Sequence, residues 1–146
     1  MELAKLLQIQ PGVTALIGSG GKTSTMLALA DELGRMARVI VCTSTRILPP
    51  DGLPLLLGAD AACAPELLGA HGVVCIGIPA EKGKLAAPEV SFQQLMQWAE
   101  FVLVEADGSK RLPVKAHEPY EPVVPPEANQ MIALFGLSGL GKPIRE

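Results

Sequence analysis

The stretch Ile17-Gly18-Ser19-Gly20-Gly21-Lys22-Thr23-Ser24-Thr25 decides how this chain is read. An apolar run, Val13 to Ile17, precedes it, and a helical pattern follows from Lys22. Three of the four residues from Gly18 to Gly21 are glycine, and each gives up much backbone freedom on folding. A connecting turn normally needs one such residue. Three imply that bare N–H groups converge on something bulky and anionic. Lys22 and Thr23 then open a helix, whose N-terminus carries about half a positive charge. In a phosphate-binding loop of the form G-x-x-x-x-G-K-[ST], the lysine reaches the outer phosphates and the hydroxyl holds Mg²⁺. Here Leu16 stands where the first glycine of that pattern belongs, and Gly18 is the expected source of an early turn. The alternative is a tight strand-to-helix turn capped by Thr23.

Outward from this loop, apolar spacing at Leu3, Leu6 and Leu7 predicts a short helix ended by Pro11-Gly12. Met26, Leu27, Ala30 and Leu33 share one face of a helix that finishes near Gly34. "ARVIVCTS" (37–44) is apolar without alternation, the pattern of a strand covered on both faces. "VVCIGI" (73–78), "FVLVEADGS" (101–109) and "QMIALFGL" (130–137) complete five expected strands. A helix is expected after Pro65 and another over 89–100, whereas "AEKGKLAAPEV" (80–90) reads as a loop. The proline-rich stretch 111–129 cannot be regular for long. The expected fold is α/β and P-loop NTPase-like: a mainly parallel sheet with flanking helices in three layers, forming one domain over 1–146.

Composition narrows the function classes. The chain has 146 residues, 49% apolar and 18% charged, with a net charge of −3. It can bury a real core, and it lacks the basic face that nucleic-acid binding needs. Cys42, Cys63 and Cys75 have no C-x-x-C spacing, so they read as free thiols of a reduced compartment. No basic-then-apolar leader and no bilayer-length apolar run is found, so a cytoplasmic protein with no membrane partner is expected.

In parallel sheets ligands bind outside the carboxyl ends of the strands. Three such ends carry chemistry. The first is the loop itself, with Gly18, Ser19, Gly20, Gly21, Lys22, Thr23 and Ser24 as the cradle for ATP or GTP. The second holds Glu105 and Asp107, two apart and expected on one face. With Thr23 they are the candidate Mg²⁺ ligands, and with Lys22 the candidate catalytic groups. Their division of roles is open, and the bland reading is a solvated strand end before an Asp-Gly turn. The third, "CTSTRI", offers Thr43, Thr45 and Arg46 for substrate, against the alternative of a capped turn before Pro49-Pro50. Lys110, Arg111 and Lys115 follow the acidic pair and could hold an anionic substrate, although such clusters are usually solvated loops.

Together, "IGSGGKTST", "VIVCTSTRILPP" and "VLVEADGSKRLPVKAHEPYEPVVP" resemble the YqeC family, described as an accessory protein of selenium-dependent molybdenum hydroxylases or a selenium cofactor biosynthesis protein. "GLSGLGKP" near the end is similar as well. The resemblance implies a nucleotide-dependent maturation factor whose partners are a molybdenum hydroxylase or its maturation factors. It also implies a C-terminal portion in family members that this chain lacks. It points to Gly18, Gly20, Gly21, Lys22, Thr23, Thr43, Thr45, Glu105, Asp107, Gly108, Lys110, Arg111 and Lys115. Three readings stay open: a Mg²⁺-dependent hydrolase or phosphotransferase, a nucleotide-switched binding module, and a fragment of a Mur-type ATP-dependent amide ligase. The last matches in the loop, G-T-x-G-K-T-S-T, but needs further domains. No N-K-x-D guanine motif is present, and oligomeric state is open.

Overall fold

A computed structural model describes residues 2–108 and 119–141. Lys110, Arg111 and Lys115, three of the expected substrate contacts, lie outside the described residues. The elements run α1 (Leu3–Leu6), β1 (Gly12–Ser19), α2 (Lys22–Gly34), β2 (Val39–Thr43), β3 (Arg46–Ile47) and β4 (Leu55–Leu57). Then come α3 (Ala64–His71), β5 (Val73–Ala80), β6 (Lys84–Ala86), α4 (Phe92–Trp98), β7 (Phe101–Glu105) and β8 (Ala128–Phe135).

All eight strands form one mixed sheet in the order β3-β6-β5-β2-β7-β1-β8, with β4 also paired to β5. Strands β5, β2, β7, β1 and β8 are mutually parallel. The continuous apolar runs of β5, β2, β7 and β1 fit because both their faces are covered, whereas β8 alternates between half-buried and exposed residues. Along β2, Val39 and Val41 pack under α2 with Leu16, Met26, Leu29, Leu33 and Leu103. Ile40 and Cys42 face the other way, into the cluster holding Leu68 of α3 and Leu95 of α4. The result is helix, sheet and helix in three layers. Leu16, Met26, Leu29 and Leu103 are fully buried, each contributing about 1.5–3 kcal/mol of transfer free energy. The short α1 docks on α2 because Glu32 accepts the Leu3 and Ala4 amides, both at 2.8 Å.

The structure corrects the sequence reading in the middle of the chain. Leu55–Leu57 and Lys84–Ala86 are strands, and Arg46–Ile47 is a third, pairing antiparallel with β6. Part of the expected 80–90 loop is therefore sheet, with Leu85 buried in the core. Strands of two or three residues show no hydrophobic period, so their pairing is decided by tertiary context.

The topology makes a crevice at one place. From β1 the chain crosses to β2 on one side of β7; from β7 it goes to β8, on the far side of β1. Loops leaving the adjacent ends of β1 and β7 therefore diverge, which is where open α/β sheets take ligands.

Candidate functional site

The loop between β1 and α2 is tighter than its glycines imply. β1 stays in register with β8 through Ser19, so the strand does not turn at Gly18, and only Gly20 and Gly21 separate it from α2. Leu16, at the position of the absent glycine, is mid-strand and fully buried beneath α2. Gly18 has φ +92°, and a Cβ there would lie 2.3 Å from the Leu134 carbonyl oxygen, so β8 forces glycine at this position. Gly21, the residue before α2, has φ +94° but faces open space. Its lack of a side chain leaves the front of the helix N-terminus uncovered. Ser24 is exposed on the first turn of α2. The Ser19 hydroxyl is buried with no hydrogen-bond partner among the described residues.

Lys22 does not point to solvent. Its side chain is 2% exposed and its Nζ donates to the Gly18 carbonyl oxygen at 2.5 Å. The same ammonium lies 2.7 Å from Asp107 Oδ1 and 3.9 Å from Glu105 Oε1. Lys22, Glu105 and Asp107 thus come together at the ends of β1 and β7.

The two acids differ in what they touch. Asp107 is fully buried, and its Oδ2 accepts the Gly18 amide at 2.6 Å. It ties the loop to the lysine. Glu105 accepts the Thr23 hydroxyl at 2.8 Å through Oε2 and lines an open cleft of about 310 Å³ with Thr23. Burial raises the Glu105 pKa above its ordinary value, and the Asp107 charge adds to the shift, while the Thr23 hydrogen bond and the Lys22 charge oppose it. The remaining walls of the cleft come from Leu27 and from Ile47 to Asp51. Leu48 and Asp51 belong to no motif in the sequence, and an acid directly after Pro49-Pro50 is the local signal for the cleft wall.

At the neighbouring strand end, the Thr43 hydroxyl donates to the Glu105 carbonyl oxygen at 2.7 Å and accepts the Thr45 amide at 3.0 Å. Having one proton, Thr43 must receive the 3.3 Å contact with Thr45 Oγ1 as acceptor. These hydroxyls brace the β2–β7 junction behind Glu105. Ser44 reaches the Val123 carbonyl oxygen at 2.5 Å, drawing the segment after residue 119 over the same end of the sheet. Arg46 is exposed at the start of β3 and makes no hydrogen bond or ion pair with the Lys22 cluster.

The donor set suits a hard cation that shares its shell with phosphate. Among the described residues no three His, Cys, Asp or Glu side chains converge. Mg²⁺ needs no such cage, because it keeps several waters and takes one or two carboxylates plus substrate oxygens. One ammonium against two carboxylates also leaves a negative excess when both acids are ionised.

No helix of the described residues is long and apolar enough to cross a membrane. No solved structure matches this chain. A protein of Escherichia coli (strain K12), "Uncharacterized protein YqeC", is 32% identical over 145 residues. That match takes in 94% of this chain and 56% of the relative, so the chain spans little more than half the relative's length. The family model described as "YqeC protein" matches residues 14–146. That match takes in most of the chain, and the chain therefore belongs to the YqeC family.

Proposed function

We propose that this chain binds a nucleoside triphosphate with Mg²⁺ at the junction of β1 and α2 and transfers or hydrolyses its terminal phosphoryl group. The observation that carries the reading is the pairing of Thr23 Oγ1 with Glu105 Oε2 at 2.8 Å, at the mouth of an open cleft and directly in front of the buried Lys22. Thr23 and Glu105 are the groups that would hold the metal, which would neutralise charge on the phosphates and the acids together. Gly21 leaves the helix N-terminus open to phosphate oxygens. Lys22, stored against Gly18 and Asp107, supplies the cation for the outer phosphates once it turns outward. Ser24 and the Gly20 and Gly21 amides complete the cradle.

In the chemical step an acceptor oxygen in the cleft forms a bond to the terminal phosphorus. The bond from that phosphorus to the bridging oxygen breaks with its electron pair left on that oxygen, and the acceptor proton leaves to solvent through the open cleft. Catalysis is then mostly positioning and charge stabilisation. The lack of an N-K-x-D motif favours ATP. The family resemblance supports maturation of selenium-dependent molybdenum hydroxylases as the cellular setting.

The test is Mg²⁺-dependent release of phosphate from ATP and GTP by wild type, Lys22→Ala and Thr23→Ala, with circular dichroism to confirm that each variant is folded. Turnover in wild type that is lost in both folded variants is expected. Equal turnover in all three would end the assignment. Tight nucleotide binding without turnover would convert it to a nucleotide-dependent docking module.

A further inference from the structure

A second cleft, about 410 Å³ in volume, opens beside the one at Glu105 and shares Leu27 and Asp51 with it. The two form one groove along α2. Thr23, Leu27, Asp31 and Arg35 stand four residues apart, so they make a single row on the helix, about 18 Å long. α2 turns Met26, Leu29, Ala30 and Leu33 into the core but Leu27 into both clefts. Leu48, Pro49 and Pro50 supply the other wall of the first cleft, and Pro54 and Val73 that of the second. The groove leaves the metal side of the proposed nucleotide site. Gly20 lies against Gly136, just past β8, whereas Val73 begins β5, on the other side of β1. A triphosphate reaching from the glycine loop to Thr23 and Glu105 has the groove beyond its metal-bound end.

We propose that this groove holds the phosphoryl acceptor, a small alcohol with an apolar body and a cationic nitrogen group at its far end. The proposal rests on the phosphoryl-transfer reading above. A water molecule takes up about 30 Å³, so hydrolysis alone uses none of the second cleft. Small-molecule sites run to about 300–1,000 Å³, the scale of this groove. Leu27, Leu48 and the two prolines give the body an apolar bed. The charged groups of the walls decide the far end. Arg35 is bonded to Asp31 at 2.5 Å. Glu105 faces the metal position. Asp51, exposed where the clefts join, forms no ion pair with a described residue. The open charge is negative, so an ammonium is attracted there and a carboxylate repelled. In the transfer, the acceptor oxygen bonds to the terminal phosphorus. The bond to the bridging oxygen breaks with its electron pair on the departing diphosphate, and the hydroxyl proton goes to solvent. Leu27 and Asp51 are then the residues that choose the acceptor.

Amide NMR spectra of the 146-residue chain, with and without Mg-ADP, test this. Tyramine, 4-ethylphenol and 3-(4-hydroxyphenyl)propanoate share a hydroxyl and a ring and differ in the charge at the other end. Tyramine is expected to shift the amides of Leu27, Asp31 and Asp51 and to bind tightest of the three, the propanoate weakest. Asp51→Asn should weaken tyramine about threefold to fivefold, the range of an exposed ion pair, and leave 4-ethylphenol unchanged. Leu27→Trp, its fold checked in the same spectra, fills the apolar bed and should abolish binding of all three. Mg-ADP should shift Gly20, Gly21 and Thr23 and leave Asp31 and Asp51 unmoved. Probes that shift nothing in the groove overturn the proposal, as does a propanoate that binds as well as tyramine or an Asp51→Asn variant that binds tyramine unchanged. Mg-ADP shifts at Asp31 overturn it too, because the groove would then hold the nucleoside. ATP turnover by the same preparation separates the two readings. Turnover with an empty groove leaves a plain hydrolase, whereas a groove that binds tyramine in a chain without turnover or Mg-ADP shifts ends the phosphoryl-transfer reading and the acceptor role with it.

Discussion

Asp107 and Lys22 are joined at 2.7 Å with essentially no solvent access to either side chain, and the same Asp107 carboxylate takes the Gly18 amide at 2.6 Å. A single acid therefore sets both the entry of the glycine loop and the resting place of its lysine. Removing one partner of a buried ion pair leaves the other charged and unsolvated, which costs about 3–5 kcal/mol. Asp107→Ala is expected to lose about that much unfolding free energy in urea. Asp107→Asn keeps an acceptor for Gly18 and should lose less. Equal losses would mean that the Gly18 hydrogen bond carries nothing.

Thr23 separates hydroxyl chemistry from helix capping. Its Oγ1 is given to Glu105 at 2.8 Å, and no side chain caps the N-terminus of α2. Thr23→Val should keep the helix while removing the hydroxyl from the cleft. A hydrogen bond to a charged group contributes about 1.5–3 kcal/mol, so Mg²⁺-dependent nucleotide affinity is expected to fall about tenfold or more. Thr23→Ser should retain it. Titration calorimetry with and without Mg²⁺ reads the difference, and unchanged affinity in Thr23→Val would remove Thr23 from the metal site.

The parts of this arrangement that could be read from the sequence are those whose signal is local. "VIVC" and "FVLV" are apolar without alternation, and both became strands covered on two faces. The Gly-Gly-Lys-Thr run lies at the start of a helix because glycine permits the positive φ values there. The division between Glu105 and Asp107 was not legible. It depends on where β7 ends relative to β1, with Leu16 the β-partner of Glu105 and Asp107 beyond the last pair. Thr43 was legible as a hydroxyl at a strand end. Its partner is the Glu105 carbonyl, 62 residues away in sequence, and only the β2–β7 pairing brings them together. Asp51 joined the cleft because β3 and β4 hold the intervening turn, and neither strand is long enough to carry a period.

Glu105 makes stability depend on pH with a defined sign. Its pKa is raised from 4.5, chiefly by burial, so the folded state binds this proton more tightly than the unfolded chain. The contribution is fully present below pH 4.5 and is lost as pH rises through the folded value. Glu105→Gln removes the titration and keeps an acceptor for Thr23. The stability of the glutamine variant relative to wild type is therefore expected to increase as pH rises from 4.5 and then to level off. Denaturation curves at a series of pH values, without nucleotide or metal, measure it. A difference independent of pH would show that Glu105 is not desolvated in the folded chain.

Gly18 and Gly21 have nearly the same φ, +92° and +94°, but different surroundings, and alanine should separate them. At Gly18 the added Cβ meets the backbone oxygen of Leu134 at 2.3 Å, and a backbone atom of a paired strand cannot turn away. At Gly21 nothing lies within 4 Å. Gly21→Ala should then cost only the left-handed conformation, about 1–2 kcal/mol. Gly18→Ala should cost more, because β1 and β8 must also part. Nucleotide binding is expected to rank the other way per unit of stability lost. The Gly21 methyl would project into the space left open before α2, so folded Gly21→Ala protein should bind Mg-ATP at least tenfold more weakly, about 1.4 kcal/mol. Thermal unfolding and titration calorimetry on the same preparations give both quantities. Full affinity in Gly21→Ala would place the phosphates elsewhere.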